Sequence, residues 1–259
     1  MRTVIRLLKY ALILTAVVMV GRSGWRAYEL HHSDAVVQEL REEIQAQQPV
    51  EAPQTSGEEQ TETQTTEQTA VFPAFLQQQN ADLAAWLTID GTEVDYPVML
   101  TPNDMEHYMY RDFHGNHSAC GTPFFDTRCA PLDQADSLLI YGHNMRDGTM
   151  FSSLKRYTDA AFGREHSALT LLLPGSTQTY ELFAVLKIST DNDADWALYD
   201  CVGTLTQSQF ETYVQSFRKR AQYTTDVQPQ YGDRLLILST CAYHTNNGRL
   251  LVIGCEKAA

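Results

Sequence analysis

Between residues 92 and 255 short apolar runs keep ending at turn residues, and a single long helical stripe interrupts them. TEVDYPVML (92–100), GTPFFDT (121–127) and DSLLIYGHN (136–144) read as strands. SALTLLLPGSTQTYELFAVLKIS (167–189) reads as a hairpin turning at Pro174-Gly175-Ser176. RLLILST (234–240) and RLLVIGC (249–255) are the two terminal strands, which close the domain. Many strands with few helices between them predict a mainly β fold, a closed sheet or barrel with flanking helices rather than a doubly wound α/β fold.

The helical stripe is TLTQSQFETYVQSFRKRAQ (204–222). Leu205, Phe210, Tyr213, Val214 and Phe217 lie on one side, and Thr206 is placed to cap the N-terminus. Residues 72–90 (FPAFLQQQNADLAAWLTID) predict one or two further helices with Phe75, Leu76, Leu83 and Trp86 inward. Residues 103–113 and 149–157 predict short helices or turns.

The chain before residue 71 differs in kind. Arg2, Arg6 and Lys9 accompany an apolar run from Val4 to Gly21, 18 residues, or about 27 Å of helix at ~1.5 Å per residue. That is close to the ~30 Å hydrocarbon core of a bilayer. Trp25 and Tyr28 suit the far interface. No small-x-small cleavage site follows the run directly, so residues 1–28 are expected to be an uncleaved single-pass anchor with the bulk of the chain outside the cell. Val36, Val37, Leu40 and Ile44 recur at helical spacing, and residues 49–69 then turn to Glu, Gln, Thr, Pro and Ser. Residues 29–70 are therefore expected to form a stalk, helical and then disordered for want of anything to bury. The folded domain is expected over 71–259. The net charge of −13 excludes a nucleic-acid partner, which needs a basic face. No glycine-rich phosphate loop or nucleotide fingerprint is present, and no cofactor is expected.

Cys241 ends one apolar strand and Arg249 begins the next. A thiol at a strand mouth can be reached, and as thiolate it is a strong nucleophile; the alternative is a small packed hydrophobe. If the strands pair, Arg249 returns to the same rim, where a guanidinium can stabilise an oxyanion. His143 stands at the polar end of another apolar strand and can act as general acid and base. His244, three residues past Cys241, is the rival base. His114, His117 and Cys120, with Cys129 beyond, match no common zinc module; a Cys120–Cys129 disulfide and plain loop residues are the alternatives, and no metal is expected.

These segments resemble the sortase family. Leu238-Ser239-Thr240-Cys241 with Arg249 after the next loop resembles its signature. Residues 141–145 (YGHNM) and 148–154 (GTMFSSL) resemble the segment around its histidine, and 121–126 (GTPFFD) resembles a family strand. The helix at 205–221 and the helical start of the domain resemble the class B subgroup. The similarity spans residues 72–256 and implies a sortase-type barrel and a cysteine transpeptidase. Cys241 would attack the Thr carbonyl of a C-terminal sorting motif in a secreted protein. Arg249 would bind the motif and the oxyanion, and His143 would serve first as acid, then as base for an amine of lipid II or peptidoglycan. Thr240 and Asn144 are candidate substrate contacts. Many class B members carry an acidic residue soon after the cysteine; here Ala242-Tyr243-His244-Thr245 follow, which makes His244 a candidate for substrate preference. The resemblance also implies life on the outer face of a Gram-positive membrane. A cysteine-dependent surface protease and a non-catalytic surface-binding domain are the competing functions.

Overall fold

The structure, a computed structural model, describes residues 2–47 and 71–256; in its first helix, side chains are described at 12, 14–21, 24 and 35–47. The strands are β1 (Leu83–Thr88), β2 (Asp95–Met99), β3 (Phe124–Phe125), β4 (Ser137–Tyr141), β5 (Ala168–Leu173), β6 (Ser176–Ser189), β7 (Tyr223–Thr224), β8 (Arg234–Cys241) and β9 (Gly248–Glu256). The helices are α1 (Arg2–Gln47), α2 (Ala160–Glu165), α3 (Asp193–Trp196) and α4 (Gln207–Arg220).

The sheet runs β5-β1-β2-β3-β4-β8-β9-β6-β7 and closes through a β5–β6 pairing. β7 adds only to the outer edge of β6, so the other eight strands form the ring. The long strand β6 makes closure possible: residues 176–181 pair with β5, and 181–189 pair with β9. β2 with β3 and β4 with β8 are parallel; the remaining pairs are antiparallel. Leu235 to Leu238 and Leu250 to Ile253 are all buried. Alternate side chains of these strands point to opposite faces, so both the barrel interior and the layer outside it are dry.

The helix expected over 204–222 forms as α4. Thr206 caps it in a capping box with Gln209, and Phe210, Val214 and Phe217 are buried. The reading of 72–90 is corrected. A short 3-10 helix (Ala74–Gln78) is followed by Asn80, whose Oδ1 accepts from the Asp82 N–H (2.9 Å). Asn80 Nδ2 donates to Phe113 O and Tyr108 Oη. Residues 83–88 are then a strand, because β2 and β5 offer ladders on both sides. Two sets of tertiary pairings outweigh the helix propensity of Leu and Ala.

α1 is continuous to Gln47, and its end packs on the barrel. Val36 and Leu40 are buried with Phe72, Leu76, Leu83, Trp86 and Met99. Arg41 Nε meets Asp95 Oδ2 at 2.8 Å, and Glu43 Oε2 accepts from Gln79 (2.8 Å). The packed body thus takes in a helical stripe that lies within the stalk expected from sequence. Among the described residues no helix is long and apolar enough to cross a membrane; the side chains of 4–11 and 13, which begin the apolar run, lie outside them, as does the low-complexity tract.

Candidate active site

Register brings the reactive residues together. β8 and β9 form an antiparallel hairpin in which Cys241 is the partner of Arg249. Directly opposed residues have Cβ atoms roughly 4.5–5.5 Å apart on one face. Gly248 makes the hairpin close tightly: it accepts from the Ala242 N–H (2.9 Å), and a Cβ there would lie 2.1 Å from Ala242 O. β4 runs parallel to β8 with Tyr141 opposite Ser239, and the Gly142 N–H extends the ladder to Ser239 O (3.1 Å). Two residues beyond each partner stand His143 and Cys241, at the same height on neighbouring strand ends. Cys241, His143 and Arg249 line one cleft of about 220 Å³.

His143 is half-buried and held from outside the barrel. Its Nε2 lies 2.8 Å from Met109 O. A carbonyl only accepts, so Nε2 carries a proton, and the neutral ring keeps its free lone pair on Nδ1. The Tyr110 ring packs against it with centroids 5.4 Å apart. The 3-10 turn His107–Tyr110 therefore fixes both orientation and tautomer. Asn144 Nδ2 donates to Cys241 O (2.6 Å), tying the histidine loop to the end of β8.

Cys241 is the one cysteine of five that is not buried. Burial pushes the Cys129 thiol up to about 12 and the Cys201 thiol higher still. Such thiols supply no thiolate at neutral pH. Arg249 is half-buried, and Nη1 donates to Gly248 O (3.0 Å). Among the described residues no carboxylate forms an ion pair with it, so its charge is available to an incoming anion.

One wall of the cleft is aromatic. Tyr141 lies against Phe124 (5.4 Å) and Tyr199 (6.2 Å, nearly parallel), and Trp196 packs on Tyr199 (5.5 Å). Tyr199 Oη and Ser239 Oγ share a hydrogen bond of 2.8 Å. Burial pushes the Tyr199 phenol up to about 12; the Ser239 hydrogen bond and the Arg249 charge lower it, and Cys241 raises it. It stays a neutral hydroxyl at physiological pH.

The other sequence-derived candidates separate. Thr240 lines the cleft, and its buried hydroxyl has no partner among the described residues. Asn144 lies outside the cleft and acts on the Cys241 backbone. His244 is exposed, its ring beside Gly248 rather than in the cleft. His114 and His117 are exposed while Cys120 is buried, and among the described residues no three His, Cys, Asp or Glu converge as metal ligands. Cys120 and Cys129 are not joined in a disulfide, and the Cys129 sulfur accepts from the Leu139 N–H (3.3 Å). Sequence reasoning passed over the aromatic wall and the Met109 carbonyl. Tyr141, one strand step before Gly142-His143, offered a readable signal; Trp196 and Tyr199 sit in a stretch without periodicity.

The sortase domain family matches residues 87–257. Sortase B of Listeria monocytogenes is 32% identical over 181 residues, 69% of this chain and 71% of that protein. The crystal structure of Clostridium perfringens sortase B superposes with a TM-score of 0.66 at 26% identity, covering 71% of this chain and 98% of that one. A Staphylococcus aureus sortase B–substrate complex shares the fold, with a TM-score of 0.70 at 21% identity over 90% of this chain and 99% of that one. A closed barrel of this topology, a reachable thiol paired across a hairpin with an arginine, and this extent of matching lead to one conclusion: the chain belongs to the sortase family of cysteine transpeptidases, and its relatives are of the sortase B type.

Proposed function

We propose that Cys241, His143 and Arg249 carry the transpeptidation and that the cleft beside the aromatic wall takes the sorting motif of a secreted protein. The Cys241 thiolate attacks the carbonyl carbon of the motif's Thr, and the carbonyl electrons move to oxygen. Arg249, across the hairpin, stabilises that oxyanion. The intermediate collapses by expelling the downstream amine. Protonated His143 gives that amine its proton from Nδ1, since Nε2–H remains on Met109 O. The acyl group is now a thioester on Cys241. An amine of lipid II or peptidoglycan attacks it, His143 takes the amine's proton on Nδ1, and the thiolate departs. Thr240, beside the thiol, contributes to the cleft wall that receives the peptide.

The observation carrying this reading is the convergence of the three side chains on one cleft. Mass spectrometry of the domain with a sorting-motif peptide tests it. A covalent adduct on Cys241 is expected, resolved to an amide when an oligoglycine or diaminopimelate-type amine is added. Cys241→Ala is expected to lose at least about 10³-fold in turnover. Turnover retained in that variant sinks the proposal, and water as the sole acceptor makes the enzyme a hydrolase.

The N-terminal helix holds this site at the outer membrane face. Support comes from the positive flank of the run and from the exposure of Leu12, Leu14, Val17, Val18, Met19 and Val20. Residues 47 and 71 both adjoin segments packed on one face of the barrel. The helix from residue 21 to 36 sets the height of the barrel, about 22 Å at ~1.5 Å per residue.

A further inference from the structure

The wall residues Trp196 and Tyr199 belong to an excursion between β6 and α4 that is outside the barrel ladder. Its start is tied by the Arg220–Asp195 ion pair (2.9 Å) and its end by the Gly203–Ser137 backbone bridge; between them, at Tyr199, it is held by a residue that does not line the cleft. Asp126, at the end of β3, is 1% exposed. The Arg128 guanidinium meets it as a fork, Nε to Oδ1 at 2.9 Å and Nη2 to Oδ2 at 2.8 Å. The same guanidinium reaches across to the excursion: Nη2 donates to Tyr199 O (2.8 Å) and Nη1 to Asp200 Oδ1 (3.3 Å). Tyr141 Oη donates to Asp126 Oδ2 (3.1 Å), so the wall's middle ring is tied to the same carboxylate. Gly203, at φ +80°, passes so close that a Cβ would lie 2.6 Å from Arg128 O. Backbone and side chain of Arg128 therefore both abut the excursion.

We propose that Arg128 is a positioning residue for substrate selection: anchored on buried Asp126, it holds Tyr199 against Tyr141 and so sets the shape of the wall on which an apolar side chain of the sorting peptide packs. It takes no part in the bond changes at Cys241. The fork matters because a single planar group must satisfy a carboxylate and a backbone carbonyl at once. An ammonium is a point charge without that geometry.

This inference rests on the cleft being the sorting-peptide site, and the readouts separate the two. Arg128→Lys keeps the charge beside Asp126 and guards against loss of the fold; Arg128→Met removes it. For both, the KM for a sorting-motif peptide is expected to rise, about tenfold for Met and less for Lys. kcat and the rate of Cys241 alkylation by iodoacetamide should stay within about twofold of wild type. The preference for an apolar residue over Ala next to the motif's Thr should shrink. Amide exchange should quicken across residues 196–201 and not in β4 or β8. Unchanged KM and preference in a folded Arg128→Lys overturn the inference and leave the transpeptidase reading intact. Loss of kcat and of alkylation together in that variant also overturns it, since Arg128 would then act on the thiol itself or on the fold. Adduct formation in wild type, measured in the same series, reports on the transpeptidase reading alone.

Discussion

The reactive rim and the aromatic wall share a cleft but are built by different means. Cys241, His143 and Arg249 stand on strand ends locked in register by backbone ladders. Trp196 and Tyr199 stand on an excursion whose end is bridged to β4 at Gly203 but whose middle is held by side chains, through Arg128, the Arg220–Asp195 pair and the Tyr199–Ser239 bond. A ladder cannot slip by one residue without turning a buried face outward, which suits groups that must meet one carbonyl carbon. A side-chain tether can be moved by a single substitution without unzipping a strand. On the proposed function, the difference implies that bond chemistry and peptide selection are separable, and variants should divide accordingly between kcat and KM.

His143→Ala is the strongest test on the rim short of removing the thiol. It should lower kcat by about 10²- to 10⁴-fold, the range for loss of a general acid–base, with KM within about twofold. Steady-state kinetics with a fluorogenic sorting peptide would show it. A rise in KM comparable to the fall in kcat would mean that His143 is part of the peptide site, and the division would fail at its centre.

On the wall, Tyr199→Phe removes one hydroxyl bonded to Ser239 and keeps the ring. A neutral hydrogen bond contributes about 1 kcal/mol, so KM should rise roughly fivefold with kcat unchanged. Ser239→Ala should match it, and the double variant should cost no more than either single one, because both delete the same bond. Additive losses would show that the two hydroxyls act on the peptide independently.

How much of this was legible beforehand follows the same division. The rim was, because each residue ends an apolar run and a strand end is where a side chain can be both aligned and exposed. Cys241 facing Arg249 is what two runs joined by a short polar loop imply. The barrel class was readable from the same runs. The wall was not: residues 190–203 have no periodicity, and their placement depends on Arg128, which is remote in sequence. Residues 83–88 were misread as helix because Leu-Ala-Ala-Trp-Leu carries helix propensity, and its strand state exists only once β2 and β5 flank it. The stripe at Val36, Val37 and Leu40 was visible, but its partner was not, since Leu76, Leu83 and Trp86 form that surface only after the barrel closes.

The smallest expected effect concerns the anchor of the wall. Burial raises the Asp126 carboxyl, but the Arg128 guanidinium and N–H, the Arg128 charge and the Tyr141 hydroxyl outweigh it and hold the group below the ordinary carboxylate range. A carboxyl depressed in the folded state stabilises the fold above its unfolded pKa of about 3.9, and that contribution is lost as pH falls through the lower folded value. Neutral and mildly acidic conditions should therefore leave it untouched. The gap in melting temperature between wild type and Asp126→Asn should be constant from about pH 7 to pH 5 and should narrow only below about pH 4. Subtracting the two curves cancels the carboxylates they share. A gap that closes already near pH 6 would mean that burial dominates and that Asp126 is protonated as it enters the fold. Arg128 would then hold Tyr199 from a neutral partner, and the wall would owe its position to hydrogen-bond geometry alone and not to an ion pair.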